Sequence, residues 1–62
     1  MDHIKIKMLI SFLESNSEYL NRLQNSFVSD IRIQYKSRGI ITNGQLVTLE
    51  DIREKVLTEV EV

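Results

Sequence analysis

Apolar side chains recur at helical spacing in three stretches of the chain, and the clearest pattern is in the middle one. There the apolar positions are three or four residues apart and comprise Leu20, Leu23, Phe27, Ile31 and Tyr35. This spacing predicts an amphipathic helix from about Ser17 to Ser37. The polar cluster of Ser15, Asn16 and Ser17 indicates a break and an N-cap before the helix. Gly39 has the position of a left-handed C-cap residue after it.

The first stretch, from about Asp2 to Ser15, fits either a helix or a strand at its start. Polar and apolar residues alternate from His3 to Met8, as they do in a half-buried strand. The adjacent apolar pairs at positions 9–10 and 12–13 break that alternation. We therefore favour a helix, with Asp2 as its N-cap.

The third stretch contains two competing signals. Thr42 and Gln45 have the spacing of a capping box at the start of a long helix. The apolar face of that helix would consist of Leu46, Leu49, Ile52, Val56 and Val60. Alternatively, the Asn43-Gly44 pair forms the type I′ turn of a short hairpin, and Thr48 caps a shorter helix after it. We favour the long helix, because a lone two-stranded hairpin is marginal in water.

A chain of 62 residues holds one domain, spanning 1–62, and its core is marginal at this size. With no cysteine and one histidine, the chain has neither a disulfide nor a zinc site to add stability. Helix packing and self-association are the remaining sources of stability. The sequence therefore predicts an all-α fold: a small antiparallel bundle of two or three helices, completed by homodimerisation. The hairpin alternative would make the fold α+β.

The second half of the chain contains a characteristic succession of helix-cap and core residues. These residues are Phe27, Val28, Ile31, Gln34, Tyr35, Arg38, Gly39, Ile41, Thr42, Gln45, Leu49 and Ile52. They resemble the helix–turn–helix pair of small phage and plasmid accessory segments. In those segments a helix ends in Gln-Tyr and a glycine, and a Ser- or Thr-capped helix with an early glutamine follows. Here Asn43-Gly44 replaces the usual Pro or Lys after the cap. The resemblance implies a helical hairpin and a mobile-element origin, but no activity and no functional residue.

Composition and charge weigh against several classes of function. The formal net charge is −1, which gives no electrostatic footprint for nucleic acid or an anionic membrane. The apolar run near the N-terminus is too short to span a bilayer, and no signal-peptide cleavage site follows it. The absence of cysteine fits a cytoplasmic protein.

No group of residues has the pattern of a catalytic site. His3 is the one candidate base, and it stands at a terminus where a helix frays. No glycine-rich loop precedes a helix, so a phosphate cradle is absent. The acidic residues of the C-terminal third are interpreted as a solvated face with Glu50–Arg53 and Asp51–Lys55 pairs. We therefore expect no enzyme, cofactor, metal or small-molecule substrate.

A basic face on the second helix supports an alternative function. This face consists of Arg22, Ser29, Arg32 and Lys36. Its arginine and lysine side chains can bind phosphate groups, and the serine can donate a further hydrogen bond. Ile33 interrupts this face. The bulky Tyr35 stands near the turn, where a DNA-reading helix-turn-helix needs a small residue. A small nucleic-acid-associated regulatory protein is therefore the second interpretation.

The first helix leads to the favoured function. Its apolar side chains cover about two-thirds of a helical wheel, more than the stripe a surface helix buries. A module this small leaves part of that arc exposed, unless the helix runs through the middle of the bundle. We expect a protein–protein interaction module whose interface comprises Ile6, Met8, Leu9, Ile10, Phe12, Leu13 and Arg53. A phage- or plasmid-borne modulator of a host protein is its most specific form.

Overall fold

The computed structural model describes residues 3–60 of the chain. Three α-helices pack together, and their bounds are α1 (His3–Ser15), α2 (Arg22–Arg38) and α3 (Asn43–Val60). One turn of 3-10 helix, Ser17–Tyr19, joins α1 to α2. This described part contains no strand, so the all-α prediction is confirmed and the hairpin at Asn43-Gly44 is wrong. The predicted N-cap, Asp2, lies outside the described residues.

The start of α2 differs from the prediction of a helix that begins near Ser17. Asn21 is the N-cap, and its side-chain oxygen accepts a hydrogen bond from the Gln24 amide at 2.8 Å. In return, the Gln24 side chain accepts a hydrogen bond from the Asn21 amide at 3.0 Å. This reciprocal capping box satisfies amide donors that a helix start otherwise leaves unpaired. The helix therefore begins after Asn21 rather than after the serine cluster.

The later start of α2 changes which apolar residues face the core. Leu20 has an extended backbone and is buried from its position in the linker. Leu23, expected in the apolar stripe, is 81% exposed on the first turn of the helix. The fully buried residues of α2 are Val28 and Ile31, with Phe27 and Tyr35 packed at the edge of the core. The stripe predicted from spacing is thus correct only in its C-terminal half.

The turn between α2 and α3 follows the sequence prediction closely. Gly39 ends α2 in the left-handed conformation with φ of 74°, and its amide donates to the Tyr35 carbonyl. The Gln45 amide donates to Thr42 Oγ1 at 3.1 Å, and the Thr42 amide donates to Gln45 Oε1 at 2.9 Å. Gln45 also exchanges two side-chain hydrogen bonds with Gln34, at 3.1 and 3.0 Å. This amide pair joins the end of α2 to the start of α3.

The core lies between the three helices, and α1 packs against both α2 and α3. Within residues 3–60 every buried side chain is apolar: Ile6, Leu9, Ile10, Leu13, Leu20, Val28, Ile31, Ile41, Leu49, Ile52 and Val56. Val60, expected on the buried face of α3, is exposed near the end of that helix. Burial of apolar area, worth roughly 25 cal/mol per Å², is therefore the main stabilising term.

The two glycines allow a matched test of the turn. Gly39→Ala places a side chain at positive φ, so we expect the free energy of unfolding to fall by about 1 kcal/mol. Gly44→Ala, in the first turn of α3, meets only Thr42 Oγ1 at 3.9 Å and should leave stability equal or higher. Urea unfolding measures both changes. Equal losses in the two variants would contradict the left-handed cap.

The two capping boxes allow a second matched test. Gln24→Ala removes a capping interaction alone, whereas Gln45→Ala removes a capping interaction and the amide pair with Gln34. We expect Gln45→Ala to lower the free energy of unfolding by about 1 kcal/mol more than Gln24→Ala, because further hydrogen bonds are lost. Chemical denaturation of the two variants gives this difference. If the losses are the same, the amide pair contributes nothing.

Candidate functional site

More of the apolar surface of helix α1 is buried within the folded chain than its sequence predicted. Ile6, Leu9, Ile10 and Leu13 are each 5% exposed or less, because α2 and α3 cover them from two sides. Within the folded chain these four side chains are therefore largely covered, although Leu9 still lines a groove beside α3 and Ile10 one beside α2, and their contact with a partner stays a prediction. Three short helices suffice to cover this stripe, and only the flanks of α1 remain available to another molecule.

One flank of α1 is apolar and borders a groove shared with α3. Ile4, Met8 and Phe12 follow one another at four-residue steps along this flank. They line a groove of about 390 Å³ together with Arg53 and Leu57 of α3. Ile4 is 70% exposed and Met8 is 66% exposed, whereas Phe12 is half-buried. We call this surface the α1/α3 groove.

The α1/α3 groove contains some of the predicted interface residues and adds others. Four residues of the predicted interface line it together: Met8, Leu9, Phe12 and Arg53. Ile4 and Leu57 were not in the predicted set. Ile4 could have been found, since it stands four residues before Met8 on the same side of the helix. Leu57 could have been found in the same way, because it follows Arg53 by four residues on α3.

Arg53 has an unusual environment for a charged side chain. Arg53 as a whole is half-buried, and its Nε atom is buried without a hydrogen-bond partner in the described structure. The neighbouring Glu50 instead pairs with Lys5 of α1, with 3.1 Å between Nζ and Oε2. Within residues 3–60 the expected Glu50–Arg53 and Asp51–Lys55 pairs do not form. The α1/α3 groove therefore includes a cationic donor that lacks an acceptor.

The other flank of α1 is polar and faces α2. It forms a second groove of about 600 Å³, the α1/α2 groove, lined by His3, Lys7, Ile10, Ser11, Glu14, Arg32, Tyr35, Lys36 and Gly39. His3 Nδ1 hydrogen-bonds the Tyr35 hydroxyl at one end. Arg32 Nε lies 3.4 Å from Glu14 Oε2 toward the other end. Both contacts tie α1 to α2 across the groove.

The basic residues predicted for nucleic-acid binding lie on α2 and are divided among different grooves. Arg32 and Lys36 line the α1/α2 groove, and Arg32 pairs with Glu14 there. Ser29 lines a smaller cleft that shares Glu14 with this groove. Arg22 is in the first turn of α2, far along the helix from Lys36. Two of the four predicted residues thus line the same groove, and binding of nucleic acid by this face stays a prediction.

Within residues 3–60, no group of three or more His, Cys, Asp and Glu side chains is arranged to hold a metal ion. None of the helices in this range is long and apolar enough to cross a membrane. No family model, curated protein or solved structure matches the chain. The functional assignment of the two grooves beside α1 therefore rests on their own chemistry.

The unpartnered Nε of Arg53 leads to a stability prediction. Arg53→Met keeps a long apolar stem and removes the buried donor. We expect the dilute protein to gain on the order of 1 kcal/mol in the free energy of unfolding, because an unsatisfied buried polar atom is lost. Lys55→Met, at an exposed position of the same helix, serves as the control and should change little. A clear loss of stability in Arg53→Met alone would mean that Arg53 has a stabilising partner within the chain.

Proposed function

We propose that the chain is a non-catalytic protein–protein interaction module that uses the α1/α3 groove. One observation supports this most directly: Ile4 and Met8 are largely exposed side by side on a helix whose other apolar face is already buried. Contiguous exposed apolar area of this kind is typical of interaction sites. Met8 is flexible enough to adapt to a partner, and the Phe12 ring supplies contact area.

The proposed occupant of the α1/α3 groove is a second copy of the chain. The groove has apolar walls on both helices and a rim with charges of both signs, Lys5 and Glu50. In a two-fold dimer each copy presents the same surface to the other, so such a patch can be self-complementary. The carboxylates of α3, including Glu54, would then lie near the Arg53 guanidinium of the other copy, whose Nε has no hydrogen-bond partner within residues 3–60.

The size of the molecule is compatible with such a dimer. The chain measures 36 × 21 × 19 Å and has an accessible surface of 4441 Å². A standard interface buries about 800 Å² per partner, which is roughly a fifth of this surface. An interface along the long side of the molecule would cover Ile4, Met8 and Leu57 together.

A narrower form of the proposal is a phage- or plasmid-borne modulator of a host protein, acting in the cytoplasm. It is supported only by the resemblance of the segment from Phe27 to Ile52 to accessory segments of such elements. The alternative of a nucleic-acid-associated regulator is supported by Arg32 and Lys36, which line one groove. The net charge of −1 and the Glu14–Arg32 pair weigh against it.

A pair of charge-introducing substitutions tests self-association through the α1/α3 groove. Met8→Glu puts a carboxylate into the groove, and we expect the dimer dissociation constant to rise by at least about 100-fold, because a buried charge needs a partner. Ile33→Glu is the matched control, since Ile33 is 58% exposed on α2 and lies outside this groove. Sedimentation equilibrium over a wide concentration range measures the effect.

Three results would contradict the proposal of a dimer. The first is a wild-type chain that stays monomeric at every concentration tested. The second is a dimer that Met8→Glu and Ile33→Glu weaken equally, which would place the interface elsewhere or indicate general repulsion. The third is a dimer that Met8→Glu leaves intact. Circular dichroism of each variant establishes that the helices are retained.

A further inference from the structure

The α1/α2 groove has a composition that the proposed dimer does not use. None of its lining residues belongs to the α1/α3 groove, because the two grooves lie on opposite flanks of α1. Its volume of about 600 Å³ falls within the range typical of small-molecule sites. A ligand could therefore occupy this groove whether or not the chain dimerises.

The charge in the α1/α2 groove is opposite in sign to that of the whole chain. Lys7, Arg32 and Lys36 line it, and among the lining residues that the structure describes Glu14 is the one carboxylate. With His3 counted as neutral, the described lining residues sum to two positive charges, in a chain whose formal net charge is −1. Within residues 3–60, neither Lys7 nor Lys36 has an ion-pair partner. Such a concentration of cations attracts an anion.

The positions of the groove residues define where an anion would lie. The His3–Tyr35 hydrogen bond is at one end, and the Glu14–Arg32 ion pair is toward the other. Along α1, Lys7 and the Ser11 hydroxyl lie between these contacts, one helical turn apart, and on α2 Lys36 follows Tyr35 at the His3 end of the groove. Two lysines and a hydroxyl donor therefore line the same groove from two helices.

The walls of the groove also include apolar surface beside this cationic centre. Ile10 reaches the groove from the edge of the core, and the half-buried ring of Tyr35 forms part of the α2 wall. The hydroxyl of Tyr35 is bonded to His3, and the two rings lie 5.9 Å apart between centroids, so the pair forms an aromatic wall of the groove. A ligand that matches both features has an anionic head and a flat or apolar body.

We infer that the α1/α2 groove binds a small phosphomonoester with an aromatic or apolar body. The head group would lie between Lys7 and Lys36, with Ser11 as an additional hydrogen-bond donor. A phosphomonoester has a charge of about −1.5 to −2 at pH 7, which matches the summed charge of the described lining residues better than a single carboxylate does. The body would pack on Ile10 and the ring of Tyr35. The inference goes beyond the proposed interaction function and does not depend on it.

The test uses phenyl phosphate as the probe, followed by NMR of the amides of the full-length ¹⁵N-labelled chain. We expect saturable shifts concentrated at the groove segments of α1 and α2. Inorganic phosphate, which lacks the apolar body, and phenol, which lacks the charge, should each bind more weakly. Equal affinity for inorganic phosphate and phenyl phosphate would overturn the assignment of the apolar wall. The absence of saturable shifts up to millimolar probe would overturn the site itself.

Matched lysine variants separate a specific site from general charge attraction. Lys7→Gln and Lys36→Gln should each weaken phenyl phosphate binding by about tenfold, because each removes one charge-assisted hydrogen bond. Lys55→Gln makes the same change in net charge at an exposed position on α3 and should leave the affinity unchanged. An equal loss in all three variants would contradict the proposal.

A single-stranded oligonucleotide provides the last arm of the experiment. Several phosphate contacts would give it a steep dependence of affinity on salt, whereas a single head group gives a shallow one. Tighter, steeply salt-dependent binding of the oligonucleotide would overturn the inference in favour of a nucleic-acid surface. The expected result is weaker binding of the oligonucleotide than of phenyl phosphate. Because Met8→Glu leaves the α1/α2 groove intact, its phenyl phosphate affinity shows whether the two proposals fail together or separately.

Discussion

The burial of one stripe of α1 against both α2 and α3 is the interaction on which the rest of the structure depends. Ile6 and Leu13 have no exposed surface, and Leu9 and Ile10 have very little. Single helices of 13 to 18 residues are marginal in water, and this chain has no disulfide to hold them together. Apolar burial around α1 must therefore provide most of the stability of the fold.

The central position of α1 also determines where function can lie. Because α2 and α3 cover only one stripe of α1, the two flanks of α1 remain accessible. These flanks differ in chemistry. The flank beside α3 is apolar and includes an arginine donor without an acceptor, whereas the flank beside α2 concentrates positive charge next to an aromatic ring. The first suits another protein surface, and the second suits a small anion. One buried stripe thus separates two candidate sites that can be tested independently.

Local sequence signals predicted the parts of the structure that local hydrogen bonds determine. The left-handed Gly39 and the Thr42–Gln45 box both depend on residues within a single turn. The start of α2 was missed because Asn21 competes as a cap with the serines before it. The burial of the α1 stripe was missed for another reason: a helical wheel gives the width of an apolar arc but not the number of helices that cover it. The convergence of Lys7 and Lys36 depends on tertiary packing, so spacing along the chain does not reveal it.

Hydrogen exchange of the backbone amides in dilute protein tests most directly whether α1 is the central helix of a single folded chain. If it is, the slowest amides of α1, between Ile6 and Leu13, exchange only by global unfolding. Their protection should then equal that of the slowest amides in α2 and α3, and it should not depend on protein concentration. Rapid exchange throughout α1, with α2 and α3 still protected, would contradict this account.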